Sequence, residues 1–488
     1  MNRADADVIV VGAGNAGFAA ALAAAERGQR VLLLEKAPPG AAGGNSYYTA
    51  GATRIAHDGL ADLLPVLEHD SRLADTTVPP YPAQEYFDDI TKLSGGRNDP
   101  ERTAVLVDES HPTLSWLHSL GMRYELLYDR QCYPQPGGGH LFWGGLHLGN
   151  VGGGVGMIED YTRIATAMGV EIRYGQHVTG LVMDDGAVAG VTVGAGPERQ
   201  NLHAGSVILA AGGFHANPQW LVENFGAGWE NAVVRGTPYS TGDMIAAALA
   251  VGAARDGDWS TAHAVQLDAH YPENSSNREL TNRLARLSYP MGIVVNREGR
   301  RFLDEGADFR NYTYSRYGKE VLRQPGGIAF QLYDSTTRPT LRPDQYDMPG
   351  ISVETAETLE ELALAIGIDP AALRRTVDEF NASITSDAVF DPTVKDGRVA
   401  AVQPPKSNWA VPLETGPFYA YPVSCGITFT YGGVKSDAHG RVLDEAGDPI
   451  PGLFVTGEML GGIYWGGYPG GAGLALGAVF GRRAGTLA

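Results

Sequence analysis

Val8-Ile9-Val10-Val11 is an unbroken apolar run between a polar start and a stretch of small residues. Such a run predicts a short strand covered on both faces, as in a parallel sheet. An alanine-rich helix follows, then a second buried strand at Val31-Leu32-Leu33-Leu34. Further along, the pattern predicts helices over about 82–93, 100–120 and 156–168, the last opened by Gly152-Gly153-Gly154. Strands are expected near 171–174 and 177–193, the latter turning at Asp184-Asp185-Gly186. Val207-Ile208-Leu209-Ala210-Ala211-Gly212-Gly213 reads as a buried strand by which the chain returns to the first sheet. Thr241-Gly242-Asp243 then caps a helix running to about 253.

From about 257 to 400 the texture turns polar, aromatic and Arg-rich. A hairpin is expected from Met291 to Phe302, turning at Arg297-Glu298-Gly299-Arg300. Two helices are expected at 355–366 and 370–383, the first broken by Gly367 and the second opened by Asp369-Pro370. The last segment returns to glycine-rich strands, and Gly470-Gly471-Ala472-Gly473-Leu474 opens a final helix. The expected fold class is α/β. A Rossmann-like domain is contributed by 1–256 and 401–488, and an α+β substrate-binding (capping) domain is inserted at 257–400.

Between the first strand and its helix stands Gly12-Ala13-Gly14-Asn15-Ala16-Gly17. Gly12 permits the tight turn, Gly14 lets the backbone approach a pyrophosphate, and Gly17 lets the helix pack on the sheet. Unpaired N–H groups at the helix start then face the phosphates. Glu35, ending the second strand beside Lys36, stands where an acidic residue accepts from a ribose diol. A second glycine-rich segment holds Gly43, Gly44, Asn45, Ser46, Ala50 and Gly51, and a third spans 457–473 with Gly457, Glu458 and Gly473, followed by Leu474. Val178, Ala211, Gly212 and Asp243 complete the candidate cofactor-binding set. Three separated segments suit an extended FAD better than a nicotinamide dinucleotide. The final helix N-terminus is placed to face the flavin C2 carbonyl, where negative charge develops on reduction.

The 488 residues are 43% apolar, enough for a large core and two domains. A formal net charge of −19 without a basic stripe argues against nucleic acid. It also requires any carboxylate-binding site to be built locally. Two cysteines, Cys132 and Cys425, provide neither a disulfide framework nor an iron–sulfur cluster. The twelve histidines lack metal-ligand spacing, so no metal is expected. With no signal-peptide core and no membrane-length apolar run, the expectation is a cytoplasmic protein without membrane insertion. Its expected partners are a small-molecule substrate and an unknown electron donor or acceptor, and the oligomeric state is left open.

In order along the chain, VIVVGAGNAGFAAALAAAERG, VLLLEK, GGNSYYTAGAT, VILAAGGF, TGDM, GIVVNREGRRFLDE, TYGGVKSD, LFVTGEMLGG and YPGGAGLALGAVFGRRAG resemble the fumarate reductase and succinate dehydrogenase flavoprotein superfamily. The resemblance spans essentially the whole chain. It is nearest to the soluble tricarballylate dehydrogenase branch and more distant from the 3-ketosteroid dehydrogenases, which share the Tyr-Pro-Gly feature. It implies FAD-dependent oxidation or reduction of a CH–CH bond beside a carboxyl or carbonyl group. Members that attach FAD covalently use a histidine where this chain has Tyr47, so the resemblance implies non-covalent FAD.

The resemblance also nominates catalytic residues. Arg338, in Gln331-Leu332-Tyr333-Asp334-Ser335-Thr336-Thr337-Arg338, falls at the family's acid/base arginine. That role requires partial desolvation and coupling to carboxylates, because guanidinium holds its proton tightly. Glu305 matches the glutamate that assists this arginine, and Arg310 stands where it can pair with Glu305 or clamp a carboxylate, at a spacing two residues off the family's. His263, with His270 as the alternative, lies where the family places a carboxylate-binding histidine. Phe429 and Tyr468 replace a histidine and an arginine that bind substrate carboxylates in fumarate reductases. Tyr468 resembles the carbonyl-binding tyrosine of the ketosteroid enzymes. Arg338, Arg310 and His263 thus favour a polycarboxylate such as tricarballylate, whereas Phe429 and Tyr468 favour a ring ketone or enone. Tyr47, Tyr48, Tyr133, Phe142, Trp143, Tyr464 and Trp465 are candidate flavin and substrate walls, and His140–Gly145 a candidate mobile loop.

Overall fold

The computed structural model describes residues 4–135, 137–142, 144–270 and 276–488. Trp143 lies outside them. Two compact units emerge. The first comprises residues up to Gly226, Gly236–His263 and Phe429–Ala488; the second comprises Ala227–Arg235 and Ala264–Thr428. The second unit's long segment begins and ends within two long strands, Arg255–Asp268 and Phe418–Val434, rather than at the texture changes near 257 and 400, and the short segment Ala227–Arg235 joins it separately.

The first unit is built on a six-stranded sheet. Its order is Arg441–Leu443, Pro449–Val455, Ser206–Leu209, Val8–Val11, Val31–Leu34, Glu171–Arg173. All neighbours are parallel except the first pair. Every residue of Val8–Val11, Val31–Leu34 and Ser206–Leu209 is buried, which explains why these strands read as continuous apolar runs rather than alternating ones. The predicted return of the chain to this sheet occurs as Val8–Val11 pairs with Ser206–Leu209. The hairpin predicted around Asp184-Asp185-Gly186 forms between Val178–Asp184 and Ala187–Val193.

The first helix, Asn15–Glu26, packs on the final helix, Ala472–Leu487, through small residues. A Cβ on Gly481 would lie 2.5 Å from the Ala16 carbonyl oxygen, and one on Gly485 would lie 2.1 Å from that of Ala20. Backbone-to-backbone contact this close leaves no room for even one carbon.

In the second unit an antiparallel sheet pairs Ile293–Asn296 with Ala329–Tyr333, which in turn pairs with the long strand from Phe418. The helices Leu359–Ala365 and Pro370–Ala382 bury Leu362, Leu373, Val377 and Phe380 against Ile293, Val295, Phe330 and Leu332. Thr358 and Glu361 form a capping box on the first of these helices, and Asp369 caps the second ahead of Pro370. The hairpin expected from Met291 to Phe302 is corrected. Ile293–Asn296 turns tightly, makes one bridge from Val295 to Arg301, and takes Ala329–Tyr333 as its partner strand. Arg301 turns inward to an ion pair instead of extending a second strand.

The tight helix contact yields a stability prediction. Gly481→Val is expected to destabilise the protein by about 1–3 kcal/mol through overpacking, measured by denaturant unfolding. An unchanged midpoint would refute the contact.

Candidate active site

In the first unit the phosphate-binding turn has two kinds of glycine. Gly12, at φ +106°, and Gly17 are closed positions, where a Cβ would lie 2.4 Å from the Ala210 oxygen and 1.8 Å from the Gly12 oxygen respectively. Gly14 is open: a Cβ there would meet Ser46 Oγ at 3.4 Å and the Gly43 oxygen at 3.9 Å. At Gly44 it would meet only the Gly14 Cα, at 3.8 Å. Gly14 and Gly44 therefore leave open backbone beside Ser46 that a side chain would cover, as close approach of a pyrophosphate requires. The Ser46 hydroxyl accepts from the Asn15 N–H at 3.0 Å, tying the second glycine segment to the first.

Glu35 is buried, and its two oxygens accept from the Ala13 and Ala37 N–H groups at 2.8 Å each. Burial raises its pKa despite these hydrogen bonds. Each oxygen retains a lone pair for a ribose hydroxyl. These donor and acceptor groups fit the adenosine and diphosphate portions of FAD.

Several candidates serve the protein's own framework. The Asn15 amide donates to the Leu474 oxygen at 2.8 Å and accepts from the Tyr161 hydroxyl at 2.9 Å, so its side chain joins three helices. Lys36 pairs with Asp243 at 2.7 Å, and His177 approaches the same carboxylate at 3.0 Å. Val178 is buried at the start of its strand. Glu458 accepts from the Thr430 N–H at 2.8 Å and lies 3.3 Å from His215 Nδ1. Ala211 donates its N–H to Met459 Sδ, while the Gly51 N–H goes to Thr49 Oγ1 and the Ala50 oxygen lies under Gly153. Gly212 and Gly457 both take positive φ, where a Cβ would crowd Ser240 and Ala16. His215 went unnoticed in the sequence because it belongs to no spaced motif, whereas Thr430 opens the TYGGVKSD stretch.

Around the start of the final helix the first unit gathers aromatic rings. His263 stacks on Phe429 at 5.2 Å, and Tyr468 stands edge-on to both, at 5.1 and 5.0 Å. Tyr464 lies 5.4 Å from Tyr468, and Tyr431 lies 5.3 Å from Phe429. A Cβ on Gly473, in the first turn of that helix, would be 3.8 Å from the Tyr468 ring and 3.9 Å from Phe429. The structure thus unites His263, Phe429, Tyr468 and the helix N-terminus. Phe142 and Tyr48 are both buried, Phe142 within the apolar core of the first unit.

Arg338, Glu305 and Arg310 lie in the second unit. The Arg338 guanidinium is about one-quarter exposed, pairs with Asp347 and donates to the Tyr346 oxygen at 3.1 Å. Burial alone would lower its pKa, but the Asp347 hydrogen bond and charge raise it on balance. Its proton is held more tightly on balance, although the guanidinium is partly desolvated and paired with a carboxylate, the two conditions stated for it above.

Glu305 is fully buried, accepts from the Val294 N–H at 2.7 Å and forms an ion pair with Arg301. Its carboxylate ties down the turn of residues 296–301, and Arg301, not Arg310, is its cation. Arg310 opens the helix Arg310–Leu322 and donates to Asn311 Oδ1 at 3.3 Å. His270 is exposed.

The loop at 140–147 is anchored at its far end. His57 Nδ1 accepts from the Gly59 N–H, so Nε2 carries the proton and donates to His147 Nε2 at 2.7 Å. Gly145 brings its backbone against Tyr81 and Arg54, where a Cβ would overlap both. Gly145 therefore provides close packing at this end, whereas a Cβ on Gly144 would meet no atom within 4 Å among the described residues.

Burial lowers the His57 pKa to about 4 and that of His147 well below 6.5. A histidine kept neutral when folded but protonated when unfolded contributes stability above pH 6.5 that is lost as pH falls towards 4. The melting temperature is therefore expected to drop across that window, and His147→Gln to flatten the drop. An equally steep profile in the variant would refute this assignment.

Among the described residues no helix is long and apolar enough to cross a membrane. Residues 7–474 match the FAD binding domain family. A probable fumarate reductase of Shewanella frigidimarina is 28% identical over 491 residues, covering 99% of this chain and 74% of that protein. The 4-oxocyclohex-2-ene-1-carboxylate 5-dehydrogenase of Sinomonas cyclohexanicum is 32% identical over 326 residues, 62% of this chain and 54% of that protein. The 3-ketosteroid Δ1-dehydrogenase of Sterolibacterium denitrificans, solved with 1,4-androstadiene-3,17-dione, is alike in fold. Its TM-score is 0.75 at 22% identity, covering 98% of each chain. These matches reach the flavoprotein superfamily but not a tricarballylate dehydrogenase in particular.

Proposed function

Because this chain belongs to the FAD binding domain family, within the fumarate reductase and succinate dehydrogenase flavoprotein superfamily, we propose a ring ketone or cyclic enone as its substrate. The protein is an FAD-dependent oxidoreductase of CH–CH bonds and binds FAD non-covalently. The observation that carries the substrate reading is the ring cluster of His263, Phe429, Tyr464 and Tyr468 at the start of the final helix.

FAD, when bound, supplies hydride exchange at N5. The chain's own residues prepare the carbon–carbon bond. Tyr468 donates its hydroxyl to the ketone oxygen, drawing electrons from the α carbon and making its C–H bond more acidic. Phe429 and His263 offer flat faces to a ring and exclude water around it. The positive end of the final helix favours negative charge developing nearby.

A polycarboxylate is the weaker reading. Arg338 is engaged by Asp347, Arg310 reaches Asn311, and the positions that bind carboxylates in fumarate reductases hold a phenyl ring and a phenol. Losing such a bidentate partner in a buried site costs a few kcal/mol, on the order of 1–3. The Sinomonas relative, named for a six-membered ring ketone acid, supports the ring reading.

Anaerobic titration of the holoenzyme tests the choice. Cyclohexanone carboxylates are expected to bleach the oxidised flavin, and 4-oxocyclohex-2-ene-1-carboxylate to reoxidise the reduced flavin. Bleaching by tricarballylate or succinate alone would overturn the reading. Tyr468→Phe is expected to lower kcat/KM by roughly 1–3 kcal/mol in transition-state terms while retaining FAD; an unchanged kcat/KM would remove Tyr468 from the site.

A further inference from the structure

Arg54 is fully buried, yet its charge belongs to no motif of the cofactor site. Its Nε donates to the Gly470 oxygen at 2.8 Å. One terminal nitrogen donates to the Tyr81 hydroxyl and to the Gly144 oxygen, both at 2.8 Å, and lies 3.4 Å from Asp89. Its backbone N–H donates to the Gly471 oxygen at 3.2 Å. Main chain and side chain of one residue therefore grip two consecutive carbonyls of the Tyr468-Pro469-Gly470-Gly471 turn. Tyr81 in turn donates to Asp89 at 2.5 Å, which fixes the hydroxyl that receives the guanidinium.

The gripped turn has little other freedom. Gly471 adopts φ +83° as the N-cap of the final helix, and a Cβ there would lie 2.4 Å from Leu146 Cδ1 and 3.0 Å from the Arg54 nitrogen. The turn separates Tyr468 from Gly473, the two groups that meet at the ring cluster. A buried cation with a planar fork is a costly way to hold two glycine carbonyls. Removing the guanidinium would leave the Gly470 and Gly144 carbonyls and the Tyr81 hydroxyl without their donor, while the Gly471 carbonyl keeps the Arg54 backbone N–H.

We propose that Arg54 is a positioning residue for the reaction: its fork fixes the 469–471 turn and thereby aims the Tyr468 hydroxyl at the substrate carbonyl. This inference rests on the reading of Tyr468 as the carbonyl donor. Arg54 itself touches no reacting atom. Lysine preserves the charge but not the fork, so it separates geometry from electrostatics.

The test is a double-mutant cycle on the holoenzyme with Arg54→Lys, Tyr468→Phe and the double variant. The readouts are kcat and KM for 4-oxocyclohex-2-ene-1-carboxylate reduction with reduced methyl viologen as the electron donor, the Kd of that probe from absorbance perturbation of the oxidised flavin, and FAD content. Arg54→Lys is expected to keep FAD bound and to lower kcat about ten- to a hundredfold. In the Tyr468→Phe background the same change should cost less than about twofold in kcat. Full additivity of the two losses would overturn the positioning role while leaving Tyr468 as the donor. A Tyr468→Phe enzyme equal to wild type would overturn both.

Should Arg54→Lys fail to load FAD, Tyr81→Phe replaces it in the cycle, removing only the hydroxyl that receives the guanidinium. The same non-additivity is then expected, and additivity would again overturn the role.

Discussion

The contact between the first and final helices is the constraint on which the first unit depends. Gly477, Gly481 and Gly485 lie against Ala16, Ala19, Ala20 and Ala23 so closely that added carbons would overlap the opposing helix. Asn15 then donates to the Leu474 oxygen at 2.8 Å, joining residues 459 positions apart. Because both helices begin at glycine-rich turns, this packing sets the phosphate-binding turn beside the Tyr468–Gly473 segment. Small residues here act as spacers whose absence of side chain fixes a distance.

From that constraint the site follows in steps. The parallel sheet delivers Gly12–Gly17 and Glu35 to one edge, and the second glycine segment is tied on through Ser46. The final helix presents its positive end among His263, Phe429 and Tyr468. Phe429 and Tyr468 stand where the superfamily resemblance places carboxylate-binding groups, and the proposed ring substrate rests on that exchange. Chemistry is retained in the cofactor, and the choice of substrate lies in the surrounding side chains.

Much of the first unit was readable because its signals are local. Val8–Val11, Val31–Leu34 and Val207–Leu209 are buried on both faces and therefore read as apolar runs, and each glycine motif lies within one turn. The second unit was less readable. The turn after Ile293–Asn296 has the composition of a hairpin, yet Arg301 folds inward to Glu305, a pairing set by burial rather than by spacing. For the same reason Glu305 was assigned to chemistry although its oxygens brace that turn. Arg54 was missed because its partners are carbonyl oxygens at 144 and 470, which sequence does not mark. The superfamily was recovered by motif order, whereas its tricarballylate branch rested on overall likeness and goes beyond what the matches support.

The central claim is that the Tyr468 hydroxyl meets a ring ketone oxygen beside the flavin. A crystal structure of the oxidised holoenzyme with 4-oxocyclohex-2-ene-1-carboxylate examines it directly. The account predicts the ring against Phe429 and His263, with its ketone oxygen within about 2.5–3.0 Å of the Tyr468 oxygen. A ligand bound by its carboxylate at Tyr468, or seated away from these rings, would contradict it.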